Sequence, residues 1–475
     1  MRVIKNFLYN ASYNVLLLLI PLITQPYISR VLQPYGNGVY QYTYTIIQYF
    51  VLLGDLGITL YGKREIAYHR DDPHSRSKIF WEIEGLQVIT TTISLIFFLI
   101  FVGIDRQFVT IQVLQVLWLF SASVDVSWYF MGLEQFGKTV LRSTIVKLLS
   151  IILIFTFVKQ PSDLWKYTII QGGAQLIGGL TLWPYLPQTI TKIRLSDLNI
   201  LKHFKPSLIL FIPNIAVQIY SVVNKTMLKQ FDTVSATSYF TFGDNIVRTV
   251  LAVVTATGTV MLPRIANRFA KGNMHAVHLS LYRNMNFVAS IATPMMFGIA
   301  AVGEQFAPRF FGMKYLLSGK VIVAESPIIL LIAWSTVIGM QYLMPVKRMR
   351  DYTVSVTLGA ISNIIINIPL IIEFGAVGTA MATVVSEAIV TLYQIYVVRD
   401  AIDLRQMFQG QWKYLLSGLF MYGIVKWMTS YWSFSILHFI TEITVGCIIY
   451  SIGVLLTRAQ IVTEIRSVLN SRLHK

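Results

Sequence analysis

Apolar runs of about 20 residues, the length a helix needs to cross ~30 Å of hydrocarbon, recur along the whole chain. Two neighbouring runs carry regularly spaced polar positions. In the first, Asn214, Gln218, Ser221 and Lys225 follow one another at spacings of four, three and four. In the second, Thr241, Asp244, Arg248, Thr255 and Thr259 repeat the device. Residues three and four apart share a helix face, so each set forms a polar strip along an otherwise apolar rod. An ionisable group within the bilayer costs roughly 2.5–3.5 kcal/mol on insertion scales and turns to a cavity or a partner rather than to lipid. The pattern predicts a membrane bundle with a polar interior, the arrangement a transporter needs.

Hydropathy and helix breakers together place about 14 helices. They run over 7–32, 38–61, 80–103, 108–131, 138–158, 163–186, 206–228, 234–261, 281–303, 321–344, 352–372, 376–398, 411–430 and 435–457. Barrel strands would be about half as long and would alternate. The expected fold class is therefore an all-α polytopic membrane protein. Composition agrees: 13% of the 475 residues are charged, against about 25% in soluble domains.

The net charge of +17 is not a nucleic-acid footprint, because the cations are spread over the connections between spans. One set of connections carries Lys63, Arg64, Arg70, Arg76 and Lys78, then Lys192, Arg194, Lys202 and Lys205, then Arg264, Arg268 and Lys271. Lys347, Arg348, Arg350, Arg399, Arg405 and the tail cations Arg458, Arg466 and Arg472 fall on the same side. The opposite connections are short and poor in cations. The positive-inside rule then puts both termini in the cytoplasm. Cys447 is the only cysteine, so no intrachain disulfide or cysteine-rich metal site can form. The seven histidines are dispersed, and neither a cofactor nor a metal is expected.

The segment 6–67 resembles 204–267. Each has a Pro-bearing helix, a cation near its outer end (Arg30, Lys225), an aromatic entry to the next helix, and a basic exit, Lys63-Arg64-Glu65-Ile66-Ala67 or Pro263-Arg264-Ile265-Ala266. Six spans restore the original orientation, so such halves would be parallel repeats related by an axis along the membrane normal. The expected domains are a six-helix lobe over 1–200, a second over 201–405, and a terminal helix pair with a tail over 406–475.

The stretch from Tyr239 to Arg248, ending in Val260-Met261-Leu262-Pro263-Arg264-Ile265-Ala266, resembles the eighth helix of multidrug/oligosaccharidyl-lipid/polysaccharide exporters. So does the opening from Tyr27 through Arg30 to Gly38, followed by Gly54-Asp55-Leu56-Gly57. Within that superfamily the chain is most similar to polysaccharide repeat-unit (O-antigen type) flippases. The resemblance implies a bacterial inner-membrane protein with two lobes in a V, working by alternating access. It also implies an undecaprenyl-diphosphate-linked oligosaccharide as substrate, membrane lipid around it and a polysaccharide polymerase as a partner. In the related peptidoglycan-precursor flippases basic cavity residues engage the diphosphate. Arg30 matches the arginine after their first helix and Asp244 the acid of the eighth, but no arginine stands between Lys5 and Arg30 here, which weighs against a peptidoglycan precursor.

The candidate cavity residues are Arg30, Asp55, Asn214, Gln218, Lys225, Asp244, Arg248 and Glu387, with Arg64 and Arg264 at the cytoplasmic mouth. Arg suits phosphate through bidentate hydrogen bonds, although a cation at a span end also snorkels to the interface. Asp244 and Arg248, at i and i+4, neutralise each other when buried. Further polar faces occur on helix two (Gln41, Tyr44, Gln48, Asp55, Thr59), helix three (Glu84, Gln87, Thr91, Ser94) and helix twelve (Thr383, Glu387, Thr391, Gln394), with Asp125 and Lys147 on helices four and five. Polar side chains also bond spans to one another, and that reading stands beside the functional one for each.

Two other functions fit the sequence less well. A membrane glycan polymerase or glycosyltransferase needs a large outer loop or a converging acidic pair, and here the longest outer connection is 304–320 and the outer acids are scattered. A cation-coupled multidrug exporter of the same superfamily usually has 12 helices, and the terminal pair argues against it.

Overall fold

The computed structural model describes residues 2–464; side chains at 2–18, 136, 138, 195, 212–221, 257–260 and 263 lie outside that description. Among the described residues the regular structure is helical, in sixteen α-helices joined by short turns. They are α1 (Arg2–Asp55), α2 (Ile58–Tyr68), α3 (Pro73–Asp105), α4 (Val109–Val124), α5 (Ser127–Gly132), α6 (Phe136–Phe157), α7 (Leu164–Leu180) and α8 (Phe204–Phe231). There follow α9 (Val234–Ala270), α10 (Met274–Phe311), α11 (Leu316–Glu325), α12 (Ile328–Ser335), α13 (Met349–Val398), α14 (Leu404–Met407), α15 (Gln411–Tyr431) and α16 (Ile436–Leu456). Seven stretches of the described chain are long and apolar enough to cross a membrane, and the pair Met313–Glu325 and Ile328–Leu343, bent by 43°, passes as an eighth when taken together.

Local chemistry sets the breaks. Inside α1 the backbone leaves the helix at Gln33 (φ 59°, ψ 176°), because the residue before a proline is pushed out of the α region and Pro34 follows. The Asn37 amide donates to the carbonyls of Ile28 (3.1 Å) and Gln33 (2.9 Å), occupying two acceptors exposed by the break. Gly375 (φ 56°, ψ −131°) divides α13 in the same way, so each of these continuous helices folds into two rods. Both breaks lie where hydropathy separates two spans.

The chain forms two compact units, residues 1–229 with 233–238, and 230–232 with 239–475. In the first, α2, α3 and α5 enclose a core of Ile58, Tyr61, Phe80, Ile83, Trp128, Tyr129 and Phe130. The Phe80 ring stacks on Trp128 at 5.6 Å and meets Tyr129 edge-on at 5.0 Å. In the second, α10, α15 and α16 bury Ala289, Tyr414, Met421, Val425, Tyr450 and Val454. The Tyr414 hydroxyl donates to Asn286 (2.6 Å) and accepts from the Ile461 amide (3.1 Å), fixing the chain beyond α16.

Gly57, at φ +76°, starts α2 against α8. A β-carbon there would stand 2.9 Å from the Ser207 carbonyl oxygen and 3.0 Å from the Phe211 amide nitrogen. Gly57→Ala should therefore lose about 1–3 kcal/mol from the left-handed backbone and the clash together. A melting curve identical to wild type would show that α2 and α8 are not held this closely.

The connection from α7 to α8 is bonded to the start of α3. Arg76 Nη2 donates to the Thr189 carbonyl (2.6 Å), and the Thr191 amide donates to Ser77 Oγ (2.9 Å). Glu82, wholly buried, accepts from the Asn199 amide (2.8 Å), Lys202 Nζ (2.6 Å) and His203 Nε2 (3.0 Å). With Nε2 donating, His203 Nδ1 is left to accept from the Tyr61 hydroxyl at 2.8 Å. Burial lowers the His203 pKa below its ordinary 6.5, and the Glu82 bond pulls against it.

Candidate functional site

The two units each contain buried ionisable groups. In the second unit, α9 turns Asp244 into the interior and leaves Arg248 half-buried one turn later, with Arg248 Nε 2.6 Å from Asp244 Oδ1. Thr241, on the same face, is buried, and Thr255 is half-buried. Facing them is a residue that periodicity did not single out. Glu325, the last residue of α11, is wholly buried, and neither of its carboxyl oxygens meets the distance and angle of a hydrogen bond among the described residues. The charges acting on it are Asp244 and Arg248 of α9 and Glu387 of α13. Charged groups from two other helices thus surround Glu325, and among them Arg248 pairs directly with Asp244. The signal in the sequence was a lone glutamate in the apolar stretch Val321-Ile322-Val323-Ala324-Glu325, four residues after Val321.

Of the residues expected in the cavity, the structure brings together Asp244, Arg248 and Glu387. Asp55 closes α1 and accepts from the Thr59 amide (3.3 Å) and hydroxyl (2.6 Å), so it caps the start of α2. Arg30 is exposed one turn before the Gln33 break, and its Nη1 donates to the Pro26 carbonyl at 2.7 Å. That carbonyl lies one turn back on the same helix, so the guanidinium is folded along the rod. Lys225 is half-buried on α8. Asn214 and Gln218 lie on α8 with side chains outside the described set. Arg64 is exposed, 3.3 Å from Glu65 and 5.5 Å above the Tyr61 ring, and Arg264 is exposed near the end of α9.

The first unit holds a second buried glutamate. Glu84 of α3 is 3% exposed, both its oxygens lack hydrogen bonds among the described residues, and the charge acting on it is Asp125. Asp125 itself accepts from the Ser127 amide at 2.9 Å and caps α5. Both were visible as polar positions within spans, but their convergence was not.

Residues 3–269, more than half of the chain, match the family of polysaccharide biosynthesis proteins. The chain belongs to that family. The resemblance to the polysaccharide branch of the multidrug/oligosaccharidyl-lipid/polysaccharide superfamily, read from Tyr27–Gly38 and the eighth helix, therefore holds. The putative O-antigen transporter of Escherichia coli strain K12 is 22% identical over 403 residues, covering 83% of this chain and 96% of that protein. Among solved structures, the inward closed conformation of lipid II flippase MurJ superposes with a TM-score of 0.76 at 15% identity, over 95% of this chain and 99% of that one. An inward-facing MATE family multidrug resistance transporter of the MOP superfamily gives 0.57 at 12% identity, over 81% and 98%. At these identities the structural likeness speaks for the fold. This member of the family is a polytopic α-helical protein of the bacterial inner membrane.

Proposed function

We propose that the chain is a flippase that carries polyprenyl-diphosphate-linked oligosaccharide repeat units across the inner membrane for surface polysaccharide synthesis, by alternating access. The observation that carries this reading is the end-to-end match to a putative O-antigen transporter, which spans 96% of that protein. In this reading 14 spans form two six-helix lobes (1–200 and 201–405) and a terminal pair (406–475), with both termini in the cytoplasm. Arg30 and Lys225 receive the diphosphate. Asn214, Gln218 and Asp55 meet sugar hydroxyls, and Arg64 and Arg264 collect the substrate at the cytoplasmic mouth. Asp244, Arg248 and Glu387 form a charged cluster within the span that changes partners during the cycle, and a polysaccharide polymerase takes the product.

The MATE likeness supports a second reading, a cation-coupled drug exporter, but it extends over 81% of the chain where the flippase fold extends over 95%. A deletion strain separates the two. Lipid-linked repeat units should accumulate and surface polymer should disappear, with rescue by wild type. Arg30→Ala should rescue poorly if the guanidinium holds phosphate, and fully if it only anchors the helix end. Unchanged glycans with altered drug sensitivity would move the assignment to the exporter.

A further inference from the structure

A polar cavity of about 420 Å³ opens in the first unit where the α2–α3 turn, the α5–α6 turn and the α7–α8 connection meet. Arg70, Asp71, Arg76, Glu134, Gln135 and Thr189 line it. Its volume falls in the range of small-molecule sites, roughly 300–1,000 Å³. None of the residues discussed above as a transport site belongs to it.

The charges of its wall are not balanced in kind. Arg76 spends Nη1 on the Arg70 carbonyl (2.7 Å) and Nη2 on the Thr189 carbonyl (2.6 Å), both neutral. Among the described residues no carboxylate pairs with it, and its Nε is buried without a hydrogen bond. The guanidinium is thus locked in place by neutral acceptors, with the Tyr129 hydroxyl beside it and no carboxylate in direct contact among the described residues. The carboxylates of the wall are engaged elsewhere or dispersed into water. Glu134 lies 3.2 Å from Arg70 Nη1, Asp71 lies 3.8 Å from Arg70 Nε, and the Asp71 side chain is 97% exposed. Exposed pairs of this kind are worth about 0–1 kcal/mol, so an incoming anion can displace them. Glu134 is held with a left-handed backbone, φ 59°, an arrangement non-glycine residues adopt at a cost of order 1–3 kcal/mol. The next helix, α6, begins at Phe136 with Gln135 in the capping position and no side-chain cap, which adds positive potential on the same side.

We infer that this cavity is a binding site for a phosphate group, seated on Arg70 and Arg76, with Glu134 as the carboxylate that the ligand displaces from Arg70. The planar guanidinium fork matches phosphate oxygens two at a time. Gln135 and Glu134 remain as acceptors for hydroxyls carried beside the phosphate. Such a ligand has two sources, the headgroup of an anionic lipid or a free phosphate compound. The site goes beyond the transport reading and stands whatever substrate crosses the membrane.

The test uses the full-length protein. Inorganic phosphate is titrated calorimetrically into detergent-solubilised protein, and retention of phosphatidylglycerol against phosphatidylcholine is measured by native mass spectrometry from mixed nanodiscs. Arg70→Gln should weaken binding roughly tenfold, which is about 1.4 kcal/mol, and Glu134→Gln should strengthen it severalfold. Opposite signs at neighbouring positions are the signature, since a merely structural loss moves both variants the same way. Arg76→Gln should abolish binding; if it also loosens the α7–α8 connection and fails to fold, Arg70→Gln and Glu134→Gln decide alone. Binding of phosphate without lipid preference assigns a free ligand, and selective lipid retention assigns a headgroup. Binding of neither probe, or binding indifferent to Arg70→Gln and Glu134→Gln, overturns the site.

Discussion

Arg248→Gln should cost the protein about 3 kcal/mol of stability, and adding Asp244→Asn should return a large part of it. Removing one partner from a buried pair typically costs 3–5 kcal/mol because the other charge is stranded. The lower end applies here, since the Arg248 side chain is 37% exposed and water covers part of its loss. One buried carboxylate, Asp244, depends on that guanidinium. Asp244 meets it at 2.6 Å, and Glu325 stands beside Asp244. Neutralising Asp244 removes the charge that the loss of Arg248 strands, so the double variant should melt above the single one. Detergent-solubilised protein followed by intrinsic fluorescence reads both. A single variant as stable as wild type would mean that Asp244 is compensated by something other than Arg248.

The second large effect is expected at Glu82, on the other unit. Glu82→Ala leaves the Asn199 amide, Lys202 and His203 without their common acceptor. His203 is the buried one of the three, and a buried group left unsatisfied costs about 1–3 kcal/mol, while the exposed Lys202 adds little, so a loss of about 1–3 kcal/mol is expected. The network also sets a pH dependence. His203 has a folded pKa below its unfolded value of 6.5, burial being the larger cause. Between the two values the unfolded chain holds more protons, so stability rises with pH across that window. The contribution is complete above about 6.5 and is lost as pH falls through the folded value. Melting measured at pH 8 and pH 5 should show the fall in wild type and a smaller one in His203→Gln. In Glu82→Ala the upward pull of the carboxylate is gone, so the loss should extend to lower pH. Equal slopes in wild type and His203→Gln would remove His203 from the account.

How much of this was legible depended on whether the cause was local. The apolar runs announced the helices, because a helix in lipid must be apolar over its whole length. The Gln33 break could be read from Pro34, and the Asp244–Arg248 pair from its i, i+4 spacing. Glu325 could not be found this way, since its partners stand 77 and 81 residues earlier in the chain, at Arg248 and Asp244. Asp55 looked like a polar position on a span, and the structure adds a cap to the start of α2 whose cause is the left-handed turn at Leu56 and Gly57. The stretch 321–344 reads as one span from hydropathy; in the structure it bends between Glu325 and Ile328 and ends in a π-helical turn. Neither feature has a sequence cue beyond Pro327.

That π-helical turn, Thr336–Leu343, has a consequence for how the gene can change length. The amides of Met344 and Arg348 reach back five residues, to Gly339 and Leu343, so the segment holds more residue than an α-helix of the same rise. Deleting one residue there would let it close to α-helix with the residues beyond nearly in place, whereas a residue deleted from regular α-helix rotates everything beyond by about 100°. Arg348, beyond the segment, would keep its face and its 2.7 Å bond to Asp351. The stretch is therefore a slot that accepts the loss of one residue with its neighbours kept, and the loss of one codon elsewhere in the span has no such slot.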